Sequence, residues 1–353
     1  MTPFTFQASL PRVVFGPGTL QQLPAEVERL GAAKALVLST PEQQDQAQRV
    51  AELLGARSAG VFARAVMHVP IETAREAREE ARRLGADCAV AIGGGSTTGL
   101  GKAIALDSGL PIIAVPTTYA GSEMTPIYGI TEGGLKKTGR DARVLPRTVI
   151  YDPRLTLSLP VDLSVTSGLN AIAHAAEGLY AHDGNPILSL MAEEGIRALA
   201  QALPALHRDP CDLQARSDAL YGAWLCGVVL GNGAMGLHHK LCHTLGGSFN
   251  LPHAEVHTVV LPHAMAYNAP KAPQAMAAIA RALRVDDAPL GLQQLAAELG
   301  APTALKAIGM PADGLDRVAD LAVSAPYPNP RPLERTALRA LLQRAWDGSA
   351  PAP

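Results

Sequence analysis

Aromatic residues are scarce in this chain: five Phe, seven Tyr and two Trp stand among 353 residues. Ala, Leu and Gly dominate instead, and 48% of the residues are hydrophobic, so the core is expected to be aliphatic. No apolar run approaches the roughly 20 residues needed to cross a bilayer, and no membrane partner is expected. No block of basic residues is present and the formal net charge is -2, which argues against nucleic acid as a partner. The four cysteines, Cys88, Cys211, Cys226 and Cys242, form no CxxC pair and read as reduced thiols of a cytoplasmic protein, three of them in apolar surroundings. The N-terminal stretch "MTPFTFQASLPRVVFG" lacks the charged start and apolar middle expected of an export signal.

The chain has two textures. In its first half, short apolar runs alternate with helical patterns. Strands are expected at 34–40, 60–66, 88–95, 111–118 and 148–153, with helices at 41–55 and 71–85. That alternation predicts a parallel sheet with helices on both faces. From about residue 161 the pattern is helical: 162–182, 187–205, 212–232, 234–248, 257–267, 273–283, 290–298, 314–323 and 332–346. The expected domains are therefore 1–158, α/β, and 159–353, all-helical. A proline-rich loop is read at 324–332 inside the second.

Two familiar fingerprints are missing. "AVAIGGGSTTGLGKAIAL" (89–106) follows a strand and opens a helix, but it is neither GxGxxG nor GxxxxGK[ST]. It still suits an anion, because glycine lets backbone N–H groups at a helix start approach a phosphate. The next strand ends in "VPTTYAGSE" (115–123), which supplies Thr117, Thr118 and Ser122. Two adjacent strand ends with such residues favour nucleotide binding over plain tight turns. After the first strand, Ser39 and Thr40 occupy the turn where a carboxylate would repel the extra phosphate of NADP. Weak discrimination between NADH and NADPH is expected.

In "GLNAIAHAAEGLY" (168–180), Asn170 and His174 are four apart on an expected helix and project from one face. Six of the ten histidines fall between 238 and 263. His239 and His243 share one helical face, and His253 and His257 repeat the spacing. Such bunching points to proton transfer, carboxylate binding or metal ligation. His238 and His263 can be packing residues.

The motifs "GGGS…GK", "PTT…GSE", "DPxLT", "GxNAxxHxxEGxY", "GLxHxxxHxLGG", "NxPH" and "NPR", in this order, resemble the iron-containing (group III) alcohol dehydrogenase family over nearly the whole chain. The resemblance implies a Rossmann-like nucleotide domain and a helical domain, in a dehydroquinate synthase-like architecture. It implies NADH or NADPH as cofactor and a homodimer. The segment "FTFQASLPRVVFG" could pair as an edge strand with a second copy. By position, Gly93, Gly94, Gly95 and Ser96 would hold the pyrophosphate. Thr40, Thr117, Thr118 and Ser122 would line the cofactor, with Lys137 and Leu155 nearer the nicotinamide. The family's metal positions correspond to Asn170, His174, His239 and His253, and His243 would face the substrate.

Three departures matter. Asn170 replaces a metal-binding Asp, Gly99 stands where the family has Asp, and the turn after Thr118 is one residue shorter. An amide is a weaker ligand for a divalent cation than a carboxylate, so little or no tightly bound metal is expected. The branch that these motifs resemble would deliver hydride to a carbon–carbon double bond conjugated with a ketone in a small dianionic acid. Its enolate can be stabilised by imidazoles rather than by a Lewis acid. His243 or His253 would donate the proton or hydrogen bond. His239, His174 and Asn170 would shape the pocket, and Lys240 would pair with a carboxylate. The alternative is a metal-dependent alcohol dehydrogenase of the same family.

Overall fold

In the computed structural model the described residues are 3–133, 135–325 and 327–353. Met1, Thr2, Gly134 and Pro326 lie outside them, Pro326 within the loop read at 324–332. The chain divides into two compact units: Ser9–Leu159, and Pro160–Pro353 with the segment ending at Ala8. The sheet domain read as 1–158 thus gives up its first residues. The sheet ladder begins only at Arg12, so that segment is not part of it.

The first unit is built on six parallel strands: β1 (Arg12–Phe15), β2 (Ala35–Leu38), β3 (Ser58–Phe62), β4 (Cys88–Gly93), β5 (Ile112–Pro116) and β8 (Thr148–Tyr151). Their order is β1-β8-β5-β4-β2-β3. β2, β4, β5 and β8 are buried on both faces, which is why their sequences are continuous apolar runs. One face, with Val37, Val90, Ile92, Ile113 and Val115, packs on Leu23, Val27, Val50 and Leu54. The other, with Leu36, Leu38 and Ala89, packs on Ala74, Ala77, Ala81, Leu100 and Ile104. The helices that cover the sheet include α2 (Gln44–Leu54), α3 (Ile71–Arg83) and α4 (Gly95–Ser108).

One expected strand shifts here, and one hairpin is new. The strand read at 60–66 is Ser58–Phe62, because the chain leaves the sheet after Phe62, where Ala65 N–H turns back to Ser39 O at 3.0 Å. The segment read as an edge strand contains β1, which pairs in parallel with β8, Arg12 opposite Thr148, and ends the sheet. A hairpin, β6 (Ile127–Glu132) and β7 (Leu135–Arg140), was not read at all. Its largely polar, exposed face gave no apolar pattern to read.

The second unit is helical. It includes α5 (Val161–Gly178), α6 (Pro186–Arg208), α7 (Leu213–Asn232), α8 (Leu237–Phe249) and α9 (His253–Asn268), followed by four shorter helices to Asp347. Glycines let these helices approach: a Cβ at Gly168 would lie 2.6 Å from Leu203, and one at Gly195 2.8 Å from Cys226. α9 starts four residues earlier than read, so His253 is its first residue. Among the described residues no single helix is long and apolar enough to cross a membrane.

Candidate active site

The sheet reverses its winding at β2, which lies between β3 and β4. Ligands in open α/β sheets sit beyond the carboxyl ends of the strands at such a switch point. The turns there are the ones the sequence singled out. Gly93 ends β4 opposite Pro116 of β5, and Thr117 N–H donates to Gly93 O at 3.0 Å. Gly93 has φ +147, and a Cβ on it would stand 2.5 Å from Thr97 Oγ1 and 2.7 Å from Gln43 Oε1. A Cβ on Gly94 would stand 3.1 Å from Thr118. Gly93 and Gly94 therefore meet Thr117, Thr118 and Gln43 of the turn after β2, and Gly95 and Ser96 follow them at the start of α4. Gln43, which the sequence reading missed, ties this turn down by donating to Thr117 Oγ1 at 3.0 Å.

The start of α4 has no side-chain cap, and Thr97 Oγ1 is buried without a partner. Uncapped N–H groups, an orphaned hydroxyl and glycines with no room for side chains fit a pyrophosphate. Thr40, half-buried, precedes the 41–43 turn. A carboxylate does stand in that turn: exposed Glu42 is held below the usual range by its own backbone N–H and the Thr40 hydroxyl. Gly99 has no room for the family's Asp, since a Cβ there would lie 2.8 Å from Val69 Cγ2.

Below this turn Lys102 is fully buried. Its ammonium donates to the carbonyls of Ser122, Thr125 and Ile127 and to Thr125 Oγ1, at 2.7–2.9 Å. Burial pulls its pKa down to about 7, and nearby Glu123 opposes that. Glu123, raised by burial, accepts from Tyr151 OH at 2.8 Å. This network fixes the turn that carries Ser122. Lys137 and Leu155, expected nearer the nicotinamide, make their contacts with other parts of the sheet unit. Lys137 is exposed on β7 and pairs with Glu132 at 2.7 Å. Leu155 packs on the aliphatic core beside the sheet.

In the helical unit, α5 presents Asn170, His174 and Glu177, spaced four and three along one face. α8 brings His238, His239, Cys242 and His243, and α9 brings His253 and His257. His174 Nδ1 lies 2.9 Å from His239 Nε2. His253 and His257 rings are 4.3 Å apart, and His243 stacks 6.5 Å from His253. His174, His238, His239, His243, His253 and His257 are joined by ring contacts, and His263 is apart from them. His243 and His253 are exposed, while Asn170, His174, His239 and His257 are buried.

Glu177 was missed, though it lies one turn beyond His174. It is fully buried and accepts from His239 Nδ1 at 2.6 Å and from the backbone N–H groups of His238 and His239. Burial pushes its pKa up, but His239, His238 and the Gly236 N–H together outweigh that and hold it at about 2. Gly236 belongs to this arrangement, since a Cβ there would stand 3.2 Å from Glu177. His238 Nε2 in turn lies 3.0 Å from His257 Nδ1. Burial, then the neighbouring His239, pulls His238 down to about 3, and His257 is likewise lowered by burial.

The family's metal positions carry no carboxylate in this chain. Asn170 turns Nδ2 to His174 Nε2 at 3.4 Å, and its Oδ1 is buried without a partner. The adjacent carboxylate, Glu177, is taken up by α8. Three imidazoles and an amide supply no anionic ligand. His238, Cys242 and His257 place ligand atoms within 4.8 Å of one another and could hold a soft cation. There too the set is neutral, because burial pushes the Cys242 thiol up.

Comparison with known proteins agrees with both units. The family model for iron-containing alcohol dehydrogenases matches residues 11–153, and the one for the C-terminal part of the Fe-containing family matches 164–346. A maleylacetate reductase of Burkholderia cepacia is 70% identical over 351 residues, covering 99% of this chain and all of that protein. The crystal structure of maleylacetate reductase from Agrobacterium tumefaciens superposes with a TM-score of 0.97 at 56% identity, over 99% of this chain and 100% of that one. The enzyme of Rhizobium sp. strain MTP-10005 gives 0.96 at 55%, with the same coverage. The chain belongs to the iron-containing alcohol dehydrogenase family, among its maleylacetate reductases.

Proposed function

We propose that this enzyme uses NADH or NADPH to reduce the carbon–carbon double bond of maleylacetate, giving 3-oxoadipate, in the breakdown of aromatic compounds, and that it works without tightly bound metal. The observation that carries this reading is the neutral donor set, with Asn170 where the family has a carboxylate, beside imidazoles able to meet a developing enolate. The 70% identity to a maleylacetate reductase supports it.

Bound NAD(P)H supplies the hydride, which adds to the double bond conjugated with the ketone. The chain's task is to hold the acid and to deliver one proton. Hydrogen bonds from imidazoles stabilise the negative charge that spreads onto the enolate oxygen, and a proton then completes the new C–H bond. His243 and His253 are the exposed rings, and one of them donates that proton. His239 is pinned between Glu177 and His174, so it positions rather than shuttles. His174 and Asn170 complete the polar wall. The substrate's two carboxylates call for cationic partners, and Lys240 is one.

The glycine turn, Thr40, Thr117, Thr118 and Ser122 form the cofactor cradle, with Lys137 and Leu155 assigned only by position. The enzyme acts as a homodimer in the cytoplasm. β1 is an end strand of its sheet, and three of the four free thiols are buried, in keeping with that reading.

One observation favours the alternative of a metal-dependent alcohol dehydrogenase: the Glu177–His239 hydrogen bond is the arrangement that orients metal-ligating imidazoles. One assay separates the two. Consumption of NADH or NADPH with maleylacetate, undiminished by chelator, is expected. Oxidation of simple alcohols that needs added iron or zinc would establish the alternative.

A further inference from the structure

We propose that His257, through its Nε2–H, donates a hydrogen bond to an oxygen of the bound substrate, and that His238 sets the ring in the tautomer that makes this possible. The assignment rests on the reductase reading above.

His257 is fully buried, yet its Nε2 has no partner. Buried polar atoms in native folds are nearly always satisfied, so an orphan on a ring inside a histidine cluster asks for a ligand. The ring sits 4.3 Å from His253, 5.0 Å from His239 and 6.1 Å from His174, measured between centroids. A second orphan, Asn170 Oδ1, lies on the residue that hydrogen-bonds His174. The two unpaired atoms thus flank one imidazole.

The other ring nitrogen decides what Nε2 can do. Only one proton lies between His238 Nε2 and His257 Nδ1, 3.0 Å apart. If His257 gave that proton, its Nε2 would be a bare lone pair. The carboxylates and ketone of maleylacetate only accept hydrogen bonds, so that tautomer would repel them. If His238 gives it, Nε2 carries a hydrogen and becomes the donor the substrate needs. Cys242 sits against the same ring, its sulfur 3.9 Å from His238 Nδ1 and 3.7 Å from Nε2, and a thiol hydrogen given to Nδ1 goes with a His238 proton on Nε2.

The test uses two replacements of His257. Asn places its amide near the former Nδ1, and Gln places it near the former Nε2. With maleylacetate and NADH, H257Q is expected to keep KM within about threefold of the unsubstituted enzyme. H257N is expected to raise KM by roughly 10- to 100-fold with kcat little changed, the loss of one hydrogen bond to a charged group. Asn proving as good as Gln or better would overturn the assignment, since His257 would then serve only to pack on His238. Melting temperatures show whether each variant folds. A second pair stands apart from them: H238L should raise KM, and H238Q, which can still donate to His257 Nδ1, should not. Equal KM values in that pair also overturn the tautomer argument. Failure of the unsubstituted enzyme to turn over maleylacetate would instead remove the parent reading, and this assignment with it.

Discussion

The carboxylate of Glu177 holds His239 twice, accepting from its ring Nδ1 at 2.6 Å and from its backbone N–H at 3.3 Å. It also accepts from His238 N–H at 2.8 Å. One buried acid on α5 thereby fixes the first turn of α8, and with it the direction of His239 Nε2. E177Q keeps one acceptor oxygen and places an amide hydrogen against a donor. We expect a loss of about 2–4 kcal/mol in urea unfolding, together with a lower kcat. Unchanged stability would mean that the α8 N–H groups find other partners.

Asn170 explains the expected indifference to chelators. N170D restores an anionic oxygen beside His174 and His239. It should raise affinity for zinc or ferrous iron by about tenfold or more, read by chelator competition. The unsubstituted enzyme should keep its full rate in chelator. A rate that vanished with chelator and returned with iron would defeat the neutral-ligand argument.

His243 and His253 are both exposed and stack on each other, and the proposed mechanism gives the proton to one of them. H243A should lower kcat by roughly 10²–10⁴ if it is the acid. A change of less than a few-fold transfers that role to His253, whose alanine variant should then show the loss.

His263 gives a stability signature of its own. It is buried in α9, both ring nitrogens lack partners, and burial, helped by Arg344, pulls its pKa to about 4 from an ordinary 6.5. Between these values the unfolded chain binds a proton that the folded one refuses, so stability falls as pH drops from 6.5 toward 4. The full effect is about 3 kcal/mol. H263L should flatten that part of the pH–stability curve and be at least as stable as the unsubstituted enzyme at pH 7.

Lys102 belongs to the sheet unit. K102M would leave the carbonyls of Ser122, Thr125 and Ile127 without their donor. A destabilisation of about 2–4 kcal/mol is expected, with weaker NADH binding because the Ser122 turn loosens. Calorimetric melting and a fluorescence titration of NADH would measure the two effects.

Most elements and most of the chemistry-bearing residues were legible along the chain, though the β6–β7 hairpin, Gln43 and Glu177 were not. Fully buried parallel strands must be apolar throughout, as β4 "CAVAIG" is, and amphipathic helices must repeat near 3.6, so both patterns are written locally. The i,i+4 spacings of Asn170 with His174 and of His239 with His243 are likewise local. The tertiary structure alone decided which partners those residues meet. It set Gln43 against Thr117 across 74 positions, Glu177 against His239 across 62, and His238 against His257 across 19. It also filled the space beside Gly99 with Val69 and paired β1 with β8. A hydrogen bond between distant segments depends on how helices and strands pack in three dimensions, and no periodicity along one chain encodes that.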